Sequence, residues 1–380
     1  MKLKGIFTII LSIILCTACS TNDEEPVVDV VIDNGDGDTD TGGSDDQGDS
    51  SNSLATIVKL NAFTNLPLKS IHFADENTGF IAASKNDETT TISEIYKTTD
   101  GGITWNKVFS DNFYIENIKV LTPNLIAAVA LTGEILISKD AGTSWEVHTI
   151  FTNRGVVLKD VTYDKHDEIY VIGYHEATKK GVVYLTWNEG ELWNEYTGND
   201  EFKEMMQNNM LSSVDYIKET GYMIIGGGLN NKGILVTQFE SKFEILETNQ
   251  PIRYLDVAAK SGTVMAVGNN GIVNSASELG GIYGVYSQHN WTTFDYNDNN
   301  RLTAVALGTG TSGNIIAVGR NKSNNLTNGE FITLSKDNGN NWERINHQFP
   351  TAAWNDIHAL NEDTFIVIGN NGLLILLTVK

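Results

Sequence analysis

Seven times along the chain an apolar residue is followed by any residue, a small polar residue and then Ile or Val, and each copy leads into a second apolar run. The Ile/Val anchors are Ile71, Ile118, Val161, Val214, Val257, Val305 and Ile357, separated by 47, 43, 53, 43, 48 and 52 residues. The second runs are GFIAA at 79–83, LIAAV at 125–129, IYVIG at 169–173, YMIIGG at 222–227, VMAVG at 264–268, IIAVG at 315–319 and FIVIG at 365–369. Continuously apolar segments of this length predict strands covered on both faces, as when sheets stack on sheets. They lack a helical period, and turns such as GNNG at 268–271 and 369–372 supply the Asn and Gly that tight hairpins need. The spacing of the anchors leaves room for four short strands per unit.

A third element recurs less regularly. TTDGGITW at 98–105, SKDAGTSW at 138–145 and SKDNGNNW at 335–342 share a hydroxyl residue, then Asp, Gly and Trp at fixed offsets: Asp100, Gly102 and Trp105; Asp140, Gly142 and Trp145; Asp337, Gly339 and Trp342. TWNEGELW at 186–193 carries Asn188, Gly190 and Trp193 in the same places, and Trp291 alone remains in the fifth unit. The carboxylate can accept backbone N–H groups across a turn, the glycine permits the reversal, and the indole packs over the hairpin. A residue that recurs in hairpin after hairpin serves the scaffold, so these positions read as structural. The seventh unit runs out at LLILLTVK, 373–380, one strand short, and Ala55 to Leu60 is placed to complete it and close the ring. The expected fold is all-β: a seven-bladed β-propeller over residues 54–380.

The hairpins resemble the Asp-box of bacterial neuraminidase repeats. Together with the Leu-x-Asp-Ile character of the first strands, they make residues 54–380 similar to the photosystem II stability and assembly factor family and its sortilin-like relatives. That resemblance implies a β-propeller and no particular reaction.

The N-terminal end reads differently. Residues 1–18 have Lys2 and Lys4 ahead of an apolar run, Ile6 to Leu15, too short for a permanent membrane span, which marks a signal peptide. Ala18 followed by Cys19 resembles a bacterial lipoprotein processing site, which implies lipidation at Cys19 and attachment to the membrane through that lipid. The acidic stretch after it resembles the surface-export signal of Bacteroidetes lipoproteins and implies an outer-membrane lipoprotein exposed at the cell surface. Residues 19–53 carry eleven acids and no Lys or Arg, with abundant Gly and Ser, and are expected to form a disordered tether.

Both cysteines, Cys16 and Cys19, fall in this leader, so the propeller has none for a disulfide or a zinc site. A formal charge of −22, from 26 basic and 48 acidic residues, excludes a general nucleic-acid binder. A ring of small polar residues precedes the anchors, with Asp160, Asp256, Asp356 and Asn117 as candidates for a channel-mouth ring. Each could instead cap a backbone amide at the turn into its strand. His72 and His358 follow their anchors in neighbouring units without a third metal ligand, and no metal or cofactor is expected. An insertion at 199–210 predicts a helix with Phe202, Met205 and Met206 on one side.

Five arginines, Arg154, Arg253, Arg301, Arg320 and Arg344, are scattered in sequence and offer no sialidase-like triad. The expected function is a non-enzymatic binding or assembly module, monomeric, for an extracellular or envelope protein or glycan. An exo-acting glycoside hydrolase, sialidase-like or other, is the alternative, and it needs two facing carboxylates.

Overall fold

A computed structural model describes residues 29–32 and 54–380, apart from 151–154, 219, 231, 240–241, 247–252, 261–262, 270–272, 278–290, 295–299, 322–329 and 350–352. The signal peptide, Cys19 and most of the acidic segment lie outside the described residues.

Two strands precede the repeats, β1 (Asp29–Ile32) and β2 (Ala55–Lys59). The first blade contains β3 (Leu68–Phe73), β4 (Gly79–Asn86), β5 (Thr91–Thr98) and β6 (Asn106–Asp111); the second contains β7 (Ile115–Val120), β8 (Ile126–Ala130), β9 (Glu134–Ser138) and β10 (Glu146–Thr149). The third blade is β11 (Val156–Tyr163), β12 (Ile169–His175), β13 (Gly181–Thr186) and β14 (Asn194–Glu195). A helix, α1 (Asp200–Asn208), then leads to β15 (Met210–Ile217), β16 (Tyr222–Leu229), β17 (Lys232–Phe239) and β18 (Lys242–Leu246). The fifth blade comprises β19 (Tyr254–Lys260), β20 (Thr263–Gly268), β21 (Val273–Ser277) and β22 (Trp291–Phe294). The sixth comprises β23 (Asn300–Leu307), β24 (Ile315–Asn321), β25 (Glu330–Ser335) and β26 (Glu343–Ile345), before β27 (Trp354–Ala359), β28 (Thr364–Gly369) and β29 (Leu374–Val379) end the chain.

These strands form an all-β propeller, but the expectation of a seven-bladed ring is corrected to six blades. Six blades are four-stranded antiparallel sheets, each built from one continuous stretch, whereas the remaining sheet is a five-stranded composite of order β1-β2-β29-β28-β27, drawn from both ends of the chain. In it β2 pairs with β29 from Ala55 opposite Val379 to Lys59 opposite Ile375. Asp29–Ile32, within the segment expected to be a disordered tether, adds to the outer side of β2, with Asp29 opposite Lys59 and Ile32 opposite Thr56. The run VVDVVI at 27–32 carries the β-branched residues that favour an extended chain there.

The first strand of each sheet neighbours the first strand of the next, and β27 neighbours β3, so these strands ring a central channel. The apolar cores lie between successive sheets. Phe80, Ala82 and Ile95 of the first blade pack on Ile118, Ile126 and Leu136 of the second, and Ile366 and Ile368 of the composite sheet pack on Ile71 and Ile81 of the first. Burial on both faces explains why the second strands are uniformly apolar.

Helix α1 is capped by Asn199, whose side chain accepts from the Phe202 N–H, and its Phe202, Met205 and Met206 are buried as the pattern required. Phe202 stacks on Phe243 of β18 at 3.9 Å between centroids. The helix thus covers the third and fourth blades.

Candidate functional site

Every inner strand carries a β-bulge at one place. The register shifts between Leu68 and Ser70, Ile115 and Asn117, Leu158 and Asp160, Leu211 and Ser213, Tyr254 and Asp256, Leu302 and Ala304, and Trp354 and Asp356. One extra residue reverses the in–out alternation of a strand. Residues three before the anchor, such as Leu68, Ile115, Leu158 and Leu302, are therefore as buried as the anchors themselves. Those two before it turn toward the channel, as do Tyr114, Arg253 and Arg301 among those four before it.

The channel opens in two cavities. One, of about 390 Å³, lies where the inner strands begin, on the face of the connections between blades. Lys69, Lys159, Arg253 and Arg301 line it, with Glu116, Tyr114, Ser212, Thr303, Asn269 and Asn355. The other, of about 840 Å³, lies at the strand ends and is lined by Phe73, Tyr216, Ala258, Ala306, Lys218 and Lys260 around a polar floor of His72, Lys119, Asp215 and His358. Asn117, Asp256 and Asp356 border both, and Asp160 borders the larger. The candidate ring thus stands in the neck between the cavities, below the mouth where it was expected.

The neck carboxylates are occupied by the scaffold. Asp356 accepts the Ile357 N–H at 2.8 Å and the Ile71 N–H at 2.9 Å, joining the composite sheet to the first blade. Asp160 accepts from Val161 at 2.7 Å and from Val214 at 2.8 Å, and Asp256 accepts from Val257 and Val305, both at 2.9 Å. Each aspartate thereby satisfies an anchor amide on its own strand and one on the next blade, the groups a bulge takes out of the ladder. The Ser70 hydroxyl lies 3.1 Å from Asn117 Oδ1 in the corresponding place between the first two blades.

Lys119 is the neck's cation. Its ammonium donates to the Val214 carbonyl at 2.7 Å and stands 3.8 Å from Asp160 and 3.8 Å from Asp215. Burial works to lower its pKa, yet Asp160, Asp215, Asp256 and Asp356 together raise it. His72 and His358 lie 4.7 Å apart between ring centroids, and the Val120 N–H donates to His72 Nδ1. Burial holds His358 down to about 4, with Lys119 adding repulsion, and holds His72 well below its ordinary value, so both are neutral at pH 7. Among the described residues no three His, Cys, Asp or Glu side chains are grouped to hold a metal ion.

The Ser213 hydroxyl lies 3.0 Å from Asp160 Oδ2 and 2.8 Å from Asp256 Oδ1. Burial, reinforced by Asp356, pushes Asp256 up to about 8, against the lowering effect of the Ser213 hydroxyl. Folding retains there a proton that the unfolded chain releases near pH 4, so this stabilisation is lost as the pH rises through about 8. Asp356, at about 6, and Glu330, at about 7, are also raised by burial and lose theirs earlier. The two histidines act oppositely, favouring the fold as the pH rises toward 6.5. The unfolding free energy measured across pH 6.5–9 should therefore fall with rising pH, by about 1.4 kcal/mol per unit for each proton the fold still retains, and Asp256→Asn should flatten the fall up to about pH 8. A profile unchanged by that substitution would place the retained proton elsewhere.

The four Trp hairpins form one hydrogen-bonded pattern. Thr98 Oγ1 donates to Asp100 and accepts the Gly102 N–H, while Asp100 accepts the Thr104 N–H at 2.9 Å. The same three bonds recur around Ser138, Asp140 and Gly142, around Thr186, Asn188 and Gly190, and around Ser335, Asp337 and Gly339. Asn188 keeps the three bonds, because its amide oxygen accepts the same N–H, but it lacks the side-chain bond that the second oxygen of Asp100, Asp140 and Asp337 accepts. The Trp105 and Trp342 indoles donate to the Gly102 and Gly339 carbonyls, whereas Trp145 and Trp193 Nε1 are buried without a partner. Gly142, at φ +83°, is required twice over: a Cβ there would lie 2.4 Å from Phe80 of the preceding blade.

No protein-family profile matches the sequence, and no curated protein matches it significantly. Solved structures do. YCF48 bound to a D1 peptide superposes with a TM-score of 0.61 at 14 % identity, covering 87 % of this chain and 96 % of that one. YCF48 from Cyanidioschyzon merolae gives 0.62 at 14 %, over 84 % and 98 %, and a streptogramin B lyase gives 0.64 at 10 %, over 87 % and 100 %. The likeness is one of fold. It agrees with the resemblance to the photosystem II assembly factors read from the repeats, and it carries no residue roles at these identities.

The sequence reading missed the cations. Arginines scattered along the chain do not stay apart: Arg253 and Arg301 line one mouth, and Arg320 is the cross-strand partner of Arg301. Lys119 and Asp215, one residue past their anchors, were likewise not singled out.

Proposed function

We propose that the protein is a non-enzymatic binding or assembly module, held at the outer membrane by a lipid on Cys19, whose smaller channel mouth receives a group from an extracellular or envelope protein. The observation that carries this is the division of labour in the channel: the neck aspartates are spent on backbone amides, and the cations around the mouth are what a ligand would meet. A glycosidase needs two carboxylates free to act on one bond. The acids bordering this mouth are Asp256 and Asp356, each accepting two amides, and Glu116, paired with Lys159. That YCF48 has been solved with a D1 peptide supports a protein rather than a glycan as partner.

Cross-linking and affinity capture from the native envelope with the full chain should recover a defined partner, and Thr303→Trp, which fills the mouth, should abolish that recovery. Aryl-glycosides, including a sialic-acid reporter, should show no turnover. Robust hydrolysis lost on replacing one channel carboxylate would make the enzyme reading the better one. Fatty-acid labelling should disappear in Cys19→Ala, and label that persists would end the lipoprotein reading.

A further inference from the structure

The four cations at the smaller mouth are not equivalent. Lys159 is ion-paired with Glu116, and the Lys69 ammonium sits over the Tyr114 ring at 5.4 Å. On the opposite side, in the fifth and sixth blades, Arg253 and Arg301 have no such counterpart among the described residues, and the Nε of each is buried there without a hydrogen-bond partner. The two are tied into one surface by Asn269, whose N–H donates to the Arg253 carbonyl at 3.1 Å and which bridges to Arg301. Arg320, across the strand pair, adds repulsion rather than relief. The carboxylates beneath do not answer them either, because both oxygens of Asp256 and of Asp356 accept backbone amides.

A buried charged donor without an acceptor is costly, and a guanidinium fork matches the oxygens of carboxylate, phosphate or sulfate. The cavity, about 390 Å³, admits only a compact group, and the Ser212 hydroxyl, buried without a hydrogen-bond partner among the described residues, suits a polar one. We propose that Arg253 and Arg301 form an oxyanion-binding subsite, which takes a single carboxylate, phosphate or sulfate group of the ligand at the mouth of a strongly acidic protein. The inference deepens the binding reading by naming the chemistry recognised.

Isothermal titration of the full chain with acetate, inorganic phosphate and sulfate, at constant ionic strength in chloride, tests it. At least one anion should bind, with affinity reduced about tenfold or more by R253Q and by R301Q and unaffected by K107Q, a lysine paired with Glu94 away from the channel. Arginine-dependent binding of acetate alone would identify the source as a carboxylate; binding of phosphate or sulfate alone would identify an esterified oxyanion. Should a glutamine variant fail to melt cooperatively, R301K decides, since it retains the charge but not the fork and should still weaken binding several-fold. Binding of no anion, or binding indifferent to both arginines, overturns the subsite. A chain that still captures its partner in that case keeps the binding reading and loses this one.

Discussion

Deleting residues 54–62 should lower the melting temperature by about 10 °C or more, whereas deleting 33–50 should shift it by no more than about 1 °C. The first deletion removes β2, which supplies five antiparallel pairs to β29 and buries Ala55 and Ile57 completely. It also removes flanking bonds from Leu60 N–H to the Leu374 carbonyl and from Lys380 N–H to the Leu54 carbonyl, both 3.0 Å. Burying Ile57 alone is worth about 2–3 kcal/mol, and an uncovered β29 would leave a flat apolar edge open to other chains. The second deletion leaves every described pairing of the composite sheet in place. Equal melting temperatures for the two would mean that closure by the N-terminal strand contributes nothing to the ring.

Asp160→Ala should cost about 3–5 kcal/mol in urea unfolding, because it strips two backbone amides of their acceptor and takes from Lys119 one of its two nearest carboxylates. Lys119→Met alone should also destabilise, by leaving Asp160 and Asp215 without a cation. The double variant should be less damaged than the sum of the two by about 1 kcal/mol or more, since residues that share one ion pair are coupled. Strict additivity would show that the 3.8 Å approach of lysine to aspartate carries no interaction energy.

Much of this architecture was legible because blade stacking imposes a rule on every repeat. A strand packed on both faces must be apolar throughout, so GFIAA and its six counterparts marked the second strands without ambiguity. The composite sheet was half legible. The missing last strand called for β2, but nothing in an acidic, glycine-rich segment announced that Asp29–Ile32 would pair beyond it, save the short β-branched run.

The mouth was hidden by the bulges. Strict alternation places Lys69 and Lys159 on the same side as the buried anchors, where a cation is least expected. Yet the signal was present: apolar residues three positions apart, as in Leu68 and Ile71 or Leu158 and Val161, cannot both face the core of a regular strand. Seven repetitions of that spacing encode seven bulges, and a reading that took the spacing literally would have turned Arg253 and Arg301 toward the channel. The convergence of the arginines themselves could come only from ring closure, which sets positions 48 residues apart side by side.

The recurring bulge also separates two kinds of evolutionary freedom. In each inner strand the inserted residue, Lys69, Glu116, Lys159, Ser212, Leu255, Thr303 or Asn355, borders the opening. Thr303 and Asn355 donate to the Trp354 and Leu68 carbonyls of the next sheet and Lys159 pairs with Glu116 of the preceding blade, but Lys69 and Leu255 can change size, charge or polarity without breaking those links. A scaffold of this kind can drift from one partner to another by altering a rim of single residues, while its interior remains under unchanged selection.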